Sequence, residues 1–466
     1  MVFNIPRLVV AGLSGDSGKT TITCGLMSQF RYLNYKVAAF KKGPDYIDPS
    51  WHVLASGNSS KNLDLYLMDR RCVLDSFLSH SEGMDISIIE GNRGLYDGLD
   101  VSGSYSTAEL SKLIKAPVII VLNINKMTRT ASAIVKGCQI LDKKVKICGV
   151  ILNQSAGRRH SDIAKKSIED DCGIPVLGVI PRQGENHILP SRHLGLVTPF
   201  ENNQAEIAIE TMRKIIEDYV DIQKIIEIAN DTKPLYIKKE NKKKRLIGKG
   251  LKIAYFYDKA FCFYYPENLE ALRESGADLI PVSSFETKNL NEFDGLYIGG
   301  GFPETNIKEL IHNTELMTDL KNRVESGFPV YAECGGLMYL SREIEIEGVN
   351  YKMSDILPLD IKMNKKPQGH GYVEAIIDTD NPFFTKGKII RGHEFHYSGI
   401  VNHNSLLPTI MNLNKGFGAI NGRDGFIYKN VLASYTHIHS KSIPEWSINF
   451  VKIINRYKNK KLSNIS

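Results

Sequence analysis

The chain has 466 residues, of which 42% are hydrophobic and 24% are charged, and it carries a formal charge of +7. This length exceeds what one hydrophobic core usually serves, and the composition excludes a disordered or fibrous protein, so two globular domains are expected. The charge is modest, and the basic runs at 238–245 and 456–461 are typical of solvated linkers and tails, so neither nucleic acid nor a membrane is predicted as a partner.

Targeting and redox signals point to the cytoplasm. No apolar run approaches the roughly 20 residues that span a bilayer, and the first six residues lack the basic and apolar regions of a signal peptide. The seven cysteines are an odd number without a C-x-x-C pair, which argues against both a disulfide framework and a zinc site.

A glycine-rich segment follows the first apolar run, residues 8–11, and precedes a helical pattern that begins near Ile22. Glycines let the main chain wrap around an anion, Lys19 adds a full charge, and a hydroxyl at the position of Thr20 ligates Mg²⁺ in loops of this kind. The usual pattern has glycine where this chain has Leu13, and the glycine stands one residue earlier. The segment predicts a site for ATP or GTP built from Gly12, Gly15, Ser17, Gly18, Lys19, Thr20 and Thr21.

Five more apolar runs alternate with helical stretches in the first half of the chain. They cover residues 36–40, 86–89, 118–122, 147–152 and 176–180. Near-continuous apolar strands between helices are typical of an α/β fold with a doubly wound parallel sheet, in which ligands gather at the carboxyl ends of the strands.

Carboxylates follow two of these runs, toward the edge of the sheet that carries the phosphate loop. They are Asp45, Asp48, Glu90 and Asp97. Carboxylates beside a triphosphate repel it unless a cation intervenes, so we predict Mg²⁺ bound by Thr20, Glu90 and Asp48. A turn or capping role is the alternative for each acid alone, most of all for Asp48, which precedes Pro49.

Smaller signals complete the first half. Asn153 and Asn123 follow apolar strands, where an amide is placed to contact a purine, and Asn153 is the stronger candidate. The spacing at Ser106 and Thr107 is typical of a helix N-cap.

The alternating pattern stops at residue 199. A helical stretch near 206–228 leads into the lysine-rich run. We predict an ATP-binding domain at 1–234, a linker at 235–250, a second domain at 251–458 and a polar tail at 459–466.

The second domain begins with apolar runs at 252–257, 296–298 and 329–332. Cys334 then stands at a sharp strand-to-helix turn among small residues, as a nucleophile does in hydrolases, and we expect an exposed thiol whose thiolate the helix dipole favours. A nucleophilic thiol also needs a base and donors for an oxyanion. We predict His437 as the base and the main-chain N–H groups of Gly300 and Gly301 as the donors. A buried structural thiol and a structural histidine are the alternatives.

Together these motifs resemble the cobyrinic acid a,c-diamide synthase family of glutamine-dependent amidotransferases, which amidate acetate side chains of tetrapyrroles. The resemblance spans nearly the whole chain and rests on residues 12–21, 43–49, 90–98, 261–268, 299–304 and 332–336. It implies an N-terminal domain similar to dethiobiotin synthetase and a C-terminal class I glutamine amidotransferase domain. The offset glycine of the phosphate loop is usual in that branch.

The resemblance also implies roles for the residues of this chain that stand at the family's functional positions. Cys334 corresponds to the nucleophile that attacks glutamine and His437 to its base, whereas the position two residues later, often Glu in glutamine amidotransferases, holds His439, so no third member is assigned. The positions associated with metal, acyl-phosphate chemistry or tetrapyrrole contact are Asp45, Tyr46, Ile47, Asp48, Glu90 and Asp97.

The resemblance also implies the reaction. ATP phosphorylates an acetate group, and ammonia released from L-glutamine at Cys334 displaces the phosphate through a path shielded from water. The tetrapyrrole stays open among cobyrinate, hydrogenobyrinate, nickel-sirohydrochlorin and sirohaem, and the oligomeric state stays open, with a homodimer as one option. A ParA-like partitioning ATPase is the distant alternative, although its signature lysine would fall at Ser14 and it has no use for Cys334.

Overall fold

A computed structural model describes residues 2–183, 191–192, 195–236 and 246–463. The chain divides into two compact units, residues 1–241 and 242–466. Most of the predicted linker, residues 237–245, lies outside the described residues. Its first two residues, Leu235–Tyr236, pair with Val2–Phe3 at the start of the chain and so belong to the first unit.

A seven-stranded sheet forms the centre of the first unit, and its neighbouring strands are all parallel. From edge to edge the strands are Ser60–Leu63, Val37–Lys42, Ile86–Gly94, Arg7–Gly12, Val118–Asn123, Ile147–Ser155 and Val176–Pro181. The helices described in this unit are Lys19–Tyr32, Ile47–Ser56, Arg70–Ser81, Thr107–Leu113, Thr130–Leu141, Arg158–Cys172, Ala205–Tyr219 and Ile222–Asn230, with a 3₁₀ turn at Pro199–Glu201. A short antiparallel pair joins Ser191–Arg192 to Gly195–Leu196.

The predicted parallel sheet is confirmed, with four local differences. The edge strand Ser60–Leu63 carries no apolar run and was not predicted. The first helix begins at Lys19 rather than near Ile22, because Gly18 ends the loop in a left-handed conformation. Glu90 lies inside the strand Ile86–Gly94, not at its tip. The predicted helix at 206–228 is two helices that are separated at Val220.

A ten-stranded sheet organises the second unit. Its order is Asp278–Val282, Lys252–Phe256, Gly295–Ile298, Val330–Glu333, Val431–Ser434, Arg423–Tyr428, Thr409–Lys415, Gly369–Ile377, Ile389–His396 and His437–Ile438. The first five strands are parallel and the later pairings are antiparallel. A second sheet has the order Val349–Lys352, Glu343–Ile346, Leu359–Met363 and Ser398–His403.

The helices described in the second unit are Pro266–Glu274, Ile307–Leu310, Thr314–Glu325, Gly335–Leu340 and Glu445–Ser463, with a 3₁₀ turn at Pro303–Asn306. The last helix packs its fully buried Trp446 against the rings of Tyr297 and Tyr331, at centroid distances of 5.6 and 4.9 Å. Residues 459–463, at the start of the predicted polar tail, are exposed and continue this helix. Residues 464–466 lie outside the described residues.

Two general predictions bear on the whole chain. All seven cysteines are free thiols, as the absence of a framework pattern predicted. Over the described ranges, no helix combines the length and apolar character that crossing a bilayer requires.

Candidate active sites

The glycine segment of the first unit forms a loop between the strand Arg7–Gly12 and the helix Lys19–Tyr32. Gly18 has φ 86°, and a Cβ there would lie 2.3 Å from Nδ2 of Asn153. The same Nδ2 donates a hydrogen bond of 3.0 Å to the Ser17 carbonyl. The loop therefore requires glycine at position 18, and Asn153, which we expected to contact a purine, braces the loop itself.

The inside of this loop is crowded and rich in donors. A Cβ on Gly12 would lie 2.3 Å from Ser17 Oγ and 2.8 Å from Lys19 Cδ, whereas the Cβ position of Gly15 is open. The Lys19 ammonium folds back to the Ser14 carbonyl at 3.1 Å. Ser17 Oγ is buried without a hydrogen-bond partner among the described residues. A lysine, an orphaned hydroxyl and a helix N-terminus at one turn fit a bound phosphate group.

The predicted carboxylates gather around a buried lysine. Lys41 Nζ donates to Glu90 Oε1 at 2.8 Å, contacts Asp48, and lies 3.9 Å from Asp45 Oδ2. Lys41 reaches them because its strand pairs with the strand Ile86–Gly94, in register with Glu90. The cation expected between the carboxylates is thus supplied, in this structure, by the lysine ammonium.

Charge in this cluster is unevenly shared. Burial works against a charged lysine, but Asp48, Glu90 and Asp45 raise the pKa of Lys41 above its usual value. Burial likewise opposes ionisation of Glu90, yet Lys41 and His52 hold its pKa below the ordinary range. Burial, reinforced by the charge of Asp45, raises the pKa of Asp48 well above normal. Lys41 and Glu90 form the ion pair, whereas the raised pKa of Asp48 favours its neutral, protonated form.

Glu90 links this cluster to the phosphate loop. Its Oε1 accepts a hydrogen bond from Thr20 Oγ1 at 2.8 Å, and its Oε2 lies 2.6 Å from His52 Nε2. The other ring nitrogen of His52 lies 3.3 Å from Ser60 Oγ. Both oxygens of this fully buried carboxylate are therefore fixed in place.

The remaining predicted residues of the first unit take local positions. Asp45 Oδ1 accepts the N–H groups of Ile47 and Asp48 at 2.9 and 3.1 Å and so caps the helix that follows Tyr46. Asp97 turns into its own loop, where Oδ2 accepts the Gly94 N–H at 2.8 Å. Asp97 was expected beside the other carboxylates, but it is not part of the group around Lys41. The predicted N-cap is confirmed at Ser106, which accepts the Glu109 N–H.

The donor set bears on magnesium. Among the described residues, no three His, Cys, Asp or Glu side chains are grouped so as to hold a metal by themselves. Mg²⁺ usually binds through one or two carboxylates together with substrate phosphates, because it keeps much of its hydration shell. This shared binding by protein and substrate fits Thr20 and Glu90, together with Asp48 on the other side of Lys41. These residues do not fit a site in which the protein supplies every ligand.

Cys334 occupies a strained turn in the second unit. It has φ 48° and ψ −100° between the strand Val330–Glu333 and the helix Gly335–Leu340, as a nucleophile elbow requires. The expectation of an exposed thiolate is wrong, because the residue is only 7% exposed. Burial, with the charges of Glu304 and Glu333, raises the pKa of the Cys334 thiol and so favours the protonated sulfur.

His437 lies between Glu333 and the glycine segment. Its Nδ1 is 3.2 Å from Glu333 Oε2, and its ring stacks on His393 at a centroid distance of 4.9 Å. A Cβ on Gly300 would lie 2.6 Å from His437 Cε1 and 3.3 Å from Nε2. The Nε2 edge of the imidazole therefore faces the predicted oxyanion segment.

The glycine segment also borders the elbow. A Cβ on Gly335 would lie 3.2 Å from the Gly301 nitrogen, and one on Gly336 would lie 2.7 Å from the Ile298 carbonyl oxygen. The Cys334 amide donates at 2.7 Å to the Ser434 carbonyl, on the strand that leads to His437. The structure thus brings the predicted nucleophile turn, base and glycines of this unit to one place.

Comparison with known proteins found matches to both units of the chain. A family model for the CobQ/CobB/MinD/ParA nucleotide binding domain matches residues 8–197, and one for the CobB/CobQ-like glutamine amidotransferase domain matches residues 252–444. A cobyrinate a,c-diamide synthase of Magnetococcus marinus is 40% identical over 452 residues, which cover 96% of this chain and 97% of that protein. The chain belongs to the cobyrinate a,c-diamide synthase family.

Other relatives of that name support the assignment. The protein of Archaeoglobus fulgidus is 40% identical over 459 residues, covering 96% of this chain and 97% of its own. The protein of Caldanaerobacter subterraneus is 42% identical over 433 residues, which cover 92% of this chain and 94% of that protein. As a member of the cobyrinate a,c-diamide synthase family, the chain is a ligase-type enzyme with a nucleotide-binding domain and a glutamine amidotransferase domain, which confirms the predicted family and fold class. The glutamine amidotransferase match over residues 252–444 and the full-length relatives favour this family over a partitioning ATPase.

Three side chains of this family member were missed from the sequence. Lys41 was given no role, although it is the centre of the first cluster, with three carboxylates around its ammonium group. His52 follows Asp48 by four residues, which places both on one helix face, but that spacing alone is weak evidence. Glu333 directly precedes Cys334, and nothing in the sequence announces its contact with His437.

Proposed function

We propose that this enzyme uses ATP and L-glutamine to convert the a and c acetate carboxylates of a cobyrinate-type tetrapyrrole into amides. One observation carries the proposal. On one chain, Thr20 joins a phosphate loop to buried Glu90, and the strained turn at Cys334 borders the same glycine segment as His437. Relatives with that reaction in their name match this chain over 96% of its length.

Glutamine hydrolysis is assigned to the second unit. The Cys334 thiol gives its proton to His437 Nε2 as sulfur bonds to the amide carbon of glutamine, and N–H groups at Gly300 and Gly301 stabilise the oxyanion. The same proton passes to the departing nitrogen, and ammonia leaves. Water then adds to the glutamyl thioester, the C–S bond breaks, and glutamate is released as the thiol regains a proton.

Amide formation is assigned to the first unit. A carboxylate resists attack by ammonia, so the terminal phosphoryl group of ATP is first transferred to an acetate oxygen to give an acyl phosphate. Ammonia adds to its carbonyl carbon and phosphate leaves. In this proposal Gly12, Gly15, Ser17, Gly18, Lys19 and Thr21 hold the triphosphate, while Asp45, Tyr46 and Ile47 lie near the substrate. Mg²⁺, held by Thr20, Glu90 and Asp48, would neutralise phosphate charge.

A cysteine substitution separates the two halves. Cys334→Ser is expected to lower glutamine-driven amidation at least ~10³-fold, because the weaker nucleophile cannot form the thioester, while turnover with ammonium salts is kept. Cys148→Ser, which removes a partly exposed thiol from the first unit, is the control and leaves both activities unchanged. Loss of both activities in C334S, or survival of both, contradicts the assignment.

A carboxylate substitution tests the first unit. Glu90→Gln is expected to abolish amidation with either nitrogen source while glutamine hydrolysis persists, because it removes the charge that holds Lys41 and Thr20 in place. Glu109→Gln on an outer helix is the matched control. Unchanged amidation in E90Q would exclude Glu90 from the ATP-dependent step.

The identity of the tetrapyrrole needs a direct assay. Cobyrinate, hydrogenobyrinate, nickel-sirohydrochlorin and sirohaem are each incubated with ATP, Mg²⁺ and glutamine, and products are measured by mass for one or two amides. Double amidation of cobyrinate is the expected result. Exclusive amidation of another macrocycle would keep the chemistry and overturn the substrate.

A further inference from the structure

Glu333 is a buried carboxylate that directly precedes Cys334 in the chain and contacts the imidazole of His437. Its Oε2 lies 3.2 Å from His437 Nδ1 and 3.4 Å from the Tyr297 hydroxyl. Its Oε1 accepts hydrogen bonds from the Tyr331 hydroxyl at 3.0 Å and the Ile438 N–H at 3.3 Å. The side chain is fully buried, so these contacts replace the water that a carboxylate needs.

We propose that Glu333 is the positioning residue of the glutaminase site. Accepting a hydrogen bond from Nδ1–H fixes the tautomer of His437 and leaves Nε2, on the Gly300 edge, to receive the thiol proton. The negative charge then stabilises the imidazolium that forms. This inference rests on the proposed glutamine hydrolysis at Cys334.

The surroundings of Glu333 preserve its role as an acceptor. Burial, and next the charge of Glu333 itself, raises the pKa of Tyr297 and that of Tyr331 well above normal, so both phenols remain O–H donors. His393, stacked on the catalytic histidine, has a pKa held well below normal by burial and so contributes no competing positive charge. Glu333 is therefore the negative group that contacts His437 directly.

A second buried carboxylate offers a rival assignment. His439 stands where glutamine amidotransferases often have their third member, and its Nε2 lies 3.6 Å from Glu267 Oε2. The His439 ring packs on Tyr265 at a centroid distance of 4.7 Å. Glu333 contacts the His437 ring directly, at 3.2 Å from Nδ1, so the geometry favours Glu333.

Position also explains the resting state of the thiol. The charge of Glu333, after that of Glu304, adds to burial in raising the pKa of Cys334, so it opposes a free thiolate.

The test compares Glu333→Gln, Glu333→Asp and the matched variant Glu267→Gln. Glutamine hydrolysis is measured as kcat and KM, and amidation is measured with ammonium salts. E333Q is expected to lower kcat ~10²- to 10⁴-fold, as loss of an orienting carboxylate does in catalytic triads, with KM for glutamine within threefold and ammonium-driven turnover unchanged. E333D is expected to recover at least tenfold of that loss but to stay at least threefold below the unmodified enzyme, because its shorter side chain retreats from His437 Nδ1. E267Q is expected to stay within fivefold of the unmodified enzyme.

Each contrary result has a distinct meaning. A kcat for E333Q within threefold of the unmodified enzyme, or a larger loss in E267Q than in E333Q, overturns the inference. If E333Q does not fold, E333D decides, because an unaltered kcat there refutes positioning by the carboxylate. Glutamine hydrolysis that survives in C334S instead defeats the proposed function, whatever E333Q does.

Discussion

Adding one methyl group at Gly300 should disable glutamine use without touching the rest of the enzyme. In Gly300→Ala the new Cβ would stand 2.6 Å from Cε1 and 3.3 Å from Nε2 of His437. Ordinary carbon contacts begin near ~3.4 Å, so the imidazole must retreat by about 0.8 Å. Gly300 is not among the glycines with positive φ, so alanine fits the backbone and the ring bears the change.

The ring has little room to retreat. Glu333 lies 3.2 Å from its Nδ1, and His393 is stacked on its face. A misplacement of ~1 Å costs a catalytic group about 100-fold in rate, or about 2.7 kcal/mol of activation free energy. We therefore expect glutamine-driven amidation to fall about 100-fold, whereas ammonium-driven amidation stays within twofold.

The assay measures product amide by mass with either nitrogen source. Gly399→Ala is the matched control in the same unit, because its Cβ would meet its nearest neighbour, Asn364 Nδ2, at an ordinary 3.5 Å. G300A with glutamine-driven turnover within twofold of the unmodified enzyme would refute His437 as the base. Equal losses with both nitrogen sources would indicate damage to the fold instead.

Three further predictions concern the loop, the thiol and the core. Gly18→Ala should weaken ATP binding, measured by calorimetry, at least tenfold, because a left-handed φ of 86° costs an alanine ~1 kcal/mol or more and its Cβ would clash with Asn153. An unchanged affinity would contradict the loop geometry. Because burial raises the Cys334 pKa, iodoacetamide should alkylate Cys334 slowly at pH 7.5, and the alkylation rate, followed on the peptide that contains this residue, should keep rising above pH 9. A rate that levels off below pH 8 would show that the sulfur is a thiolate at rest. Trp446→Ala should lower the free energy of unfolding by ~3–5 kcal/mol in urea, and a loss under 1 kcal/mol would mean that the ring is not buried.

The sequence predicted well those elements that are determined by residues close together in the chain. The phosphate loop is marked by closely spaced glycines followed by Lys19, and the parallel strands are marked by short apolar runs. The turn at Cys334 is marked by the two glycines that follow it. Such signals need no knowledge of what packs against them.

Other features depend on residues far apart in the chain. The edge strand Ser60–Leu63 has no apolar pattern and exists because its backbone pairs with the neighbouring strand Val37–Lys42. The antiparallel strands between residues 369 and 428 likewise depend on their pairing partners, and the sequence offered no signal for them. Burial also reversed one prediction, because a thiol at a helix start favours ionisation only when water or a cation reaches it.

The sequence by itself determined the chemistry available to this protein: a triphosphate loop, acidic side chains beside it, and a cysteine with a histidine. Only the tertiary structure decided how charges are paired. Lys41 meets three carboxylates, His52 holds Glu90, and Glu333 holds His437 across about a hundred residues of chain. Electrostatic interactions act over a few ångströms in space regardless of separation in sequence, so these partners are fixed by the packing of strands and helices.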